Sequence, residues 1–185
     1  MITQKTHHTL LPKSLLTKWG KDSEMAKGLE YVEGQTCIVV ETPDEMYKMV
    51  KYLLSKEQGV IGFDTEATST RPESAQIVGM SFSVDDDRGF YVPVGHKYGT
   101  QVPLDEALEL AAKVLHSKYL AMAGGKYDWH LMKRHGVEVR YGVDSQSLSR
   151  LMGEVEYGVG LKPTVARMFG ERMVEFSDVV SKARQ

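Results

Sequence analysis

Short apolar runs alternate with amphipathic segments along most of this sequence. The run at 60–63, Val-Ile-Gly-Phe, follows Gly59 and precedes polar residues, a pattern that predicts a short buried strand. The same reasoning predicts further strands at 37–40, 77–84, 90–94, 119–123 and 137–143.

Helices are predicted where apolar residues recur every three or four positions. The clearest case begins at Thr42, an N-cap residue followed by Pro43 and two acids, and ends before Gly59. Further helices are predicted at 104–115, at 129–135 and after Asp144, which we expect to cap the last of them. Leading strands followed by helix–strand alternation predict an α/β fold in which helices flank a mixed β-sheet.

Two carboxylates follow the buried run at 60–63. Asp64 and Glu66 are two residues apart, so on a strand they point to the same side, just beyond the edge of a hydrophobic sheet. Like charges held together repel unless a cation neutralises them, and hard oxygen ligands suit Mg²⁺ or Mn²⁺. The pattern therefore indicates a metal site. The alternative is that the two acids simply end the strand in solvent, since Asp22 and Glu24 form the same triplet where nothing else suggests a metal.

The composition is that of an ordinary globular domain. A chain of 185 residues, 42% hydrophobic and 26% charged, suits one domain with a real core. The net charge of −2 means that nucleic-acid binding would depend on a local group of cations. Cys37 is the only cysteine, which excludes an internal disulfide and fits a reducing compartment. No apolar stretch approaches the roughly 20 residues of a membrane span.

Residues 1–35 have the character of an N-terminal extension, and residues 36–185 that of the folded domain. The charged side chains before Asp22 are all lysines, around a small apolar patch. The segment lacks the arginines that are typical of a transit peptide. A docking peptide, a tail packed on its own domain and a disordered tail are the remaining interpretations.

A third acid, Asp128, stands where a predicted strand gives way to a helix. Alone it could be an N-cap or first-turn residue, and such a residue can still turn one oxygen toward a metal. His130 and His135 lie five positions apart, about 140° around a helix, and are poorly placed to share a zinc ion. Gly124 and Gly125 are not followed by the lysine of a phosphate-binding loop, so a tight strand-to-helix turn is enough to explain them.

Together these segments resemble the 3′–5′ proofreading exonuclease domain of family A (polymerase I-like) DNA polymerases, which belongs to the ribonuclease H-like superfamily. Phe63-Asp64-Thr65-Glu66 is similar to the first exonuclease motif, and Lys126-Tyr127-Asp128 to the end of the second. The stretch at 91–96, Tyr-Val-Pro-Val-Gly-His, resembles the strand and turn that follow the first motif. The likeness runs from about Cys37 to Val180, and the order and separation of the segments make it specific.

The chain departs from the family pattern in two places. The family usually has Asn four residues before the second-motif acid, where this chain has Gly124. Its third motif is a Tyr or His followed four or five residues later by an Asp, but no Tyr follows Tyr157, and Leu161 stands four residues beyond it. We therefore expect a domain cut short before the third motif rather than one whose motif has mutated.

The resemblance implies hydrolysis of 3′-terminal phosphodiesters with two divalent ions, Mg²⁺ or Mn²⁺, roughly 3.5–4 Å apart. It assigns catalytic and metal-binding roles to Asp64 on both ions, Glu66 on the first and Asp128 on the second. The third motif would add a water-orienting Tyr and a fourth acid. Without them we expect a weak or inactive enzyme, slower by roughly 10²–10⁴.

The resemblance also implies a nucleic-acid substrate, single-stranded DNA or a frayed 3′ end. Thr65, Arg71, Lys126 and Tyr127 are the candidate nucleic-acid contacts, although Arg71 and Lys126 could be ordinary solvated cations. The implied partner is a polymerase domain, or another chain that supplies the third motif. The implied location is intracellular, in the cytoplasm or at the nucleoid, without a membrane.

Two other functions fit the same sequence. One is an RNA-processing exonuclease of the ribonuclease D type, which has the same fold, although the segment at 91–96 favours the polymerase branch. The other is a non-catalytic module that binds single strands or a partner protein. The presence of Asp64, Glu66 and Asp128 argues against this last interpretation.

Overall fold

The computed structural model of the protein describes residues 36–57, 59–84, 88–170 and 173, so the extension expected at 1–35 lies outside the described residues. The strands are β1 (Thr36–Val39), β2 (Val60–Ala67), β3 (Ile77–Ser83), β4 (Arg88–Pro93), β5 (Tyr119–Met122) and β6 (Tyr141–Asp144). The helices are α1 (Pro43–Ser55), α2 (Leu104–Ser117), α3 (Lys126–Arg134), α4 (Ser145–Leu151) and α5 (Leu161–Phe169), with a 3₁₀ turn at Glu154–Tyr157. None of these helices is long and apolar enough to cross a membrane.

The strands form one mixed sheet in the order β1-β4-β3-β2-β5-β6. Strands β2, β3 and β4 are antiparallel neighbours. The other three strands pair in parallel with their neighbours: β1 with β4, β5 with β2, and β6 with β5. The predicted α/β fold with a mixed sheet is confirmed, and β2 lies inside the sheet where its antiparallel and parallel parts meet.

The alternation of side chains along β2 separates the two faces of the sheet. Ile61, Phe63 and Thr65 are buried, whereas Asp64 and Glu66 are exposed. The buried face joins one hydrophobic core with the inner positions of the first three helices: Met46, Met49, Val50 and Leu53 of α1, Ala107, Ala111, Val114 and Leu115 of α2, and Leu131 and Met132 of α3. The opposite face of the sheet, which carries Asp64 and Glu66, is not part of this core.

Strand β2 continues further than its apolar run predicts. Its pairing with β3 extends as far as Ala67, because backbone hydrogen bonds do not depend on apolar side chains. Asp64 and Glu66 therefore lie within the strand, on the face of the sheet, and the expectation that they stand beyond its edge was wrong.

The region after the glycine pair at 124–125 also differs from the prediction. Helix α3 begins at Lys126, so Asp128 is a first-turn residue, and Gly125 is the N-cap. The strand expected at 137–143 is restricted to Tyr141–Asp144. The reason is that the N–H groups of Gly136 and Val137 donate to carbonyl groups of α3 and close the end of that helix.

The turn after β4 lies directly against β3. The N–H groups of Val94 and Gly95 both donate to the carbonyl oxygen of Val78, at 2.9 and 3.0 Å. A Cβ atom on Gly95 would lie 2.5 Å from the carbonyl oxygen of Ile77, which is closer than two such atoms can approach. Only glycine allows the turn to pack here.

We predict that Gly95→Ala lowers the free energy of unfolding by about 1–3 kcal/mol, because the added methyl group must push backbone away from backbone. Urea denaturation measures the change. Gly59→Ala is the matched control, since a Cβ atom there would have nothing within 4 Å. Equal losses in the two variants would contradict the role of the close contact.

Candidate active site

The face of the sheet opposite the core lines a cleft of about 980 Å³. Asp64 and Glu66 face it from β2, Ser81 from β3 and Tyr91 from β4. Small residues surround them on the neighbouring positions of the sheet: Gly62, Ser83, Gly89 and Ala121. Because these residues fill little space, a ligand has room above the carboxylates.

The Asp64 carboxyl group is held in an electrostatically unfavourable position. Burial, followed by the negative charges of Asp128 and Glu66, raises its pKa from 3.8 to about 7. The residue as a whole is exposed to solvent, but its carboxyl group lies within a concave surface where protein atoms replace part of the surrounding water. Such a position favours either a proton or a cation beside the carboxylate.

Asp128 is fixed to β2 by the residue between the two exposed acids. The N–H and the hydroxyl group of Thr65 both donate to Oδ1 of Asp128, at 2.9 and 2.5 Å. The N–H is available because β5 pairs with β2 only from Val60 to Gly62. Burial raises the pKa of Asp128, with a further contribution from the charge of Asp144, and the Thr65 hydrogen bonds oppose that rise.

Asp144 holds together the turns that precede α3 and α4. Its Oδ1 accepts hydrogen bonds from the N–H groups of Gln146 and Ser147, which confirms the predicted N-cap. Its Oδ2 accepts from the N–H of Gly125 and the hydroxyl group of Tyr141, at 2.8 and 2.9 Å. Burial by itself would raise the pKa of Asp144, but these donors outweigh it and hold the pKa below its ordinary value. The bond to Gly125 helps to fix the helix that carries Asp128.

Helix α3 also holds the loop that follows β2. The hydroxyl group of Tyr127 donates to the carbonyl oxygen of Ser69. The guanidinium group of Arg134 donates to the carbonyl oxygens of Glu73 and Ala75. The loop at 68–76 is therefore tied to the same helix as Asp128.

The four candidate nucleic-acid contacts lie in two different environments. The hydroxyl group of Thr65 is committed to Asp128 and that of Tyr127 to Ser69, so contacts with nucleic acid would have to use other groups of these residues. Arg71 and Lys126 are exposed. Nucleic-acid binding by any of the four stays a prediction.

The structure brings Asp128 of α3 next to Thr65, the residue of β2 that lies between Asp64 and Glu66. Among the residues that the structure describes, however, no three His, Cys, Asp or Glu side chains are arranged as the ligands of one metal ion. Asp128 directs Oδ1 to Thr65 instead. The donor chemistry still fits, because Asp64 and Glu66 present hard oxygen atoms whose mutual repulsion a divalent cation would relieve. A metal ion shared by the three acids stays a prediction.

Sequence reasoning did not find the contact between Thr65 and Asp128. A signal was present, since the alternation along β2 places Thr65 on the buried face, where a hydroxyl group needs a partner. The partner lies 63 residues away and could not be named from the sequence pattern.

Two solved structures define the class of fold. Escherichia coli RNase D, described as an exoribonuclease involved in structured RNA processing, superposes with a TM-score of 0.59 at 15% identity, over 77% of this chain and 36% of that one. Brucella melitensis NrnC with bound Mg²⁺ superposes with a TM-score of 0.50 at 14% identity, over 77% of this chain and 64% of that one. At these identities the likeness shows a common fold, that of the ribonuclease H-like exonucleases.

Sequence comparison identifies the family within this class. The family model of the 3′–5′ exonuclease domain of family A DNA polymerases matches residues 37–185. DNA polymerase I of Rhizobium leguminosarum is 28% identical over an alignment of 152 positions that covers 70% of this chain and 15% of that protein. The chain therefore belongs to the 3′–5′ exonuclease family, as its motifs predicted, and spans about 15% of the length of this relative.

We predict that Thr65→Val lowers the free energy of unfolding by about 1–2 kcal/mol, because it removes a donor from a buried carboxylate while keeping the shape of the side chain. Chemical denaturation measures the loss. Thr65→Ser is the matched control, since it keeps the hydroxyl group and removes only a methyl group. A loss that is no larger for Val than for Ser would show that the hydroxyl group contributes little.

A second prediction follows from the raised pKa of Asp64. Below a pH of about 4 the carboxyl group is protonated in the folded and the unfolded chain alike and costs the fold nothing. As the pH rises toward 7, the unfolded chain ionises first, so stability is lost, and the full cost applies above pH 7.

Asp64→Asn should therefore stabilise the metal-free fold more at pH 8 than at pH 5. Because the side chain is exposed, we expect only about 1 kcal/mol, or roughly 2–4 °C in melting temperature. Calorimetry in EDTA at the two pH values measures it. The same gain at both values would refute the electrostatic cause.

Proposed function

We propose that this chain is the proofreading exonuclease domain of a DNA polymerase and hydrolyses the 3′-terminal phosphodiester of single-stranded or frayed DNA. One observation carries the proposal: in a member of the 3′–5′ exonuclease family, Asp64 and Glu66 face an open cleft beside the fixed Asp128. A phosphodiester is an anion, so a cleft that carries these charges binds it only when cations are present.

The ions would be Mg²⁺ or Mn²⁺, held by Asp64 and Glu66 with a contribution from Asp128. The raised pKa of Asp64 supports this, because it reflects burial and neighbouring negative charge that a cation would compensate. NrnC, which shares the fold, contains bound Mg²⁺. When bound, such ions activate water and stabilise the departing 3′ oxygen.

The protein's own groups place the carboxylates and the strand to be cut. Thr65 and Asp144 hold Asp128 and its helix in place before substrate arrives. Arg71 and Lys126, both exposed, would contact phosphate groups. Leu148 and Leu161 line the cleft and would pack against unpaired bases.

The third exonuclease motif is the part of the machinery that we propose comes from elsewhere. Among the 185 residues, no Tyr or His after Asp144 has an Asp four or five positions beyond it. A polymerase segment or another chain would supply the water-orienting group and the fourth acid. These residues alone would then be a slow enzyme, working inside the cell in the cytoplasm or at the nucleoid.

An RNA-processing role of the ribonuclease D type is the second candidate, because E. coli RNase D shares the fold. The segment at 91–96 favours the polymerase branch, so we expect DNA to be cut faster than RNA of the same sequence.

The test is a time course with matched, 5′-labelled DNA and RNA single strands in Mn²⁺ or Mg²⁺. We expect slow shortening from the 3′ end that stops in EDTA and falls at least about 10²-fold in Asp64→Ala and in Glu66→Ala. Glu109→Ala is the control, since Glu109 is an exposed acid of α2 that pairs only with Lys113 among the described residues. Shortening that survives EDTA or both active-site variants would reject the proposal. Turnover equal to that of a complete relative would reject the need for a third motif.

A further inference from the structure

The aromatic ring of Tyr91 crosses β3 above Gly79. A Cβ atom on Gly79 would lie 2.1 Å from the hydroxyl oxygen of Tyr91, 2.4 Å from Cζ and 2.7 Å from Cε2. The phenol group therefore occupies the volume that any side chain at position 79 would need. This arrangement requires glycine at position 79 for reasons of space alone.

Position 79 is the position opposite Glu66. Gly79 and Glu66 are direct partners in the antiparallel pairing of β3 with β2. Paired Cβ positions in a sheet are about 4.5–5.5 Å apart, so the Tyr91 hydroxyl group lies within about 8 Å of the Glu66 Cβ atom. The glutamate side chain spans about half of that interval, and a hydrogen bond, direct or through one water, can bridge the rest.

The hydroxyl group of Tyr91 is itself fixed by residues outside the exonuclease motifs. It forms a hydrogen bond of 2.6 Å with Nε2 of His96. The backbone of His96 is held by Gln101, whose side chain accepts from the His96 N–H at 2.6 Å and donates to its carbonyl oxygen at 2.8 Å. The turn between Tyr91 and His96 is the one in which Gly95 packs against β3.

Both side chains of this pair face the cleft together with the acids. Tyr91 and His96 line it with Asp64 and Glu66. Burial, the charge of Glu66 and that of Cys37 raise the pKa of Tyr91 to about 12, so the hydroxyl group keeps its proton at neutral pH. It can donate that proton to Glu66 when Nε2 of His96 carries the hydrogen of the bond between Tyr91 and His96.

We propose that Tyr91, held by His96, is a positioning residue for Glu66. Its ring closes the side of Glu66 that faces β3, and its hydroxyl group holds the carboxylate in one orientation by a hydrogen bond, direct or through one water. The inference rests on the proposed function, because it concerns the orientation of a carboxylate that binds a metal ion. It adds a residue outside the acidic motifs to the group that prepares the site.

The experiment is a calorimetric titration of the full chain with Mn²⁺, which needs no turnover. We expect Tyr91→Phe, which keeps the ring and loses the hydroxyl group, to weaken binding about 10-fold, with a melting temperature close to that of the wild type. Gly79→Ala keeps the hydroxyl group but displaces the ring, and should weaken binding to a similar extent. Tyr98→Phe is the matched control, because Tyr98 is 75% exposed and follows the same strand, and we expect unchanged binding.

A double-mutant cycle separates positioning from a general structural effect. In a Tyr91→Ala background the clash is gone, so Gly79→Ala should cause no further loss of Mn²⁺ binding. Full-strength binding by both Tyr91→Phe and Gly79→Ala, with Asp64→Asn weakened, would overturn the inference and leave the metal site standing. Wild-type chain that binds Mn²⁺ no better than Asp64→Asn would overturn the proposed function and the inference together.

Discussion

The two hydrogen bonds from Thr65 to Asp128 are the interaction on which the site depends. They exist because β5 stops pairing with β2 at Gly62, so the edge of β2 beyond that residue offers a backbone donor to a side chain instead of a strand. A carboxylate as buried as that of Asp128 would be costly without such donors. Since Thr65 stands between Asp64 and Glu66, the same contact that fixes helix α3 also sets where the third acid lies relative to the other two.

Two acids near this junction have opposite pKa shifts because their surroundings differ. Asp144 accepts hydrogen bonds from four groups, and its pKa is held below the ordinary value. Asp64 lies among like charges, and its pKa is raised. The first arrangement stabilises an ionised side chain for the sake of the fold. The second arrangement places the negative charge of Asp64 in an open cleft, where binding a cation or a proton would be favourable.

Local patterns in the sequence were enough to predict the parts of this structure that depend on near neighbours. Thr42 caps α1 and Asp144 caps α4, because a capping side chain contacts residues two or three positions away. The strand alternation places Asp64 and Glu66 on one face for the same kind of reason. The end of β2 could not be read in this way, since it depends on pairing with β3. Nor could the bond between Thr65 and Asp128, whose partners come together only when α3 packs on the sheet.

The open face of the sheet is the other constraint that a local pattern does not reveal. Glycine and serine residues on β2, β3 and β4 leave this face without large side chains of their own. The space above one of them, Gly79, is occupied by the ring of Tyr91 from β4. A larger residue there would be compatible with a strand and would still displace the ring of Tyr91. In the proposed mechanism the acidic motifs supply the groups that bind the ions. We propose that the small residues around them, together with Thr65 and Tyr91, hold those groups in a geometry that can use a metal ion.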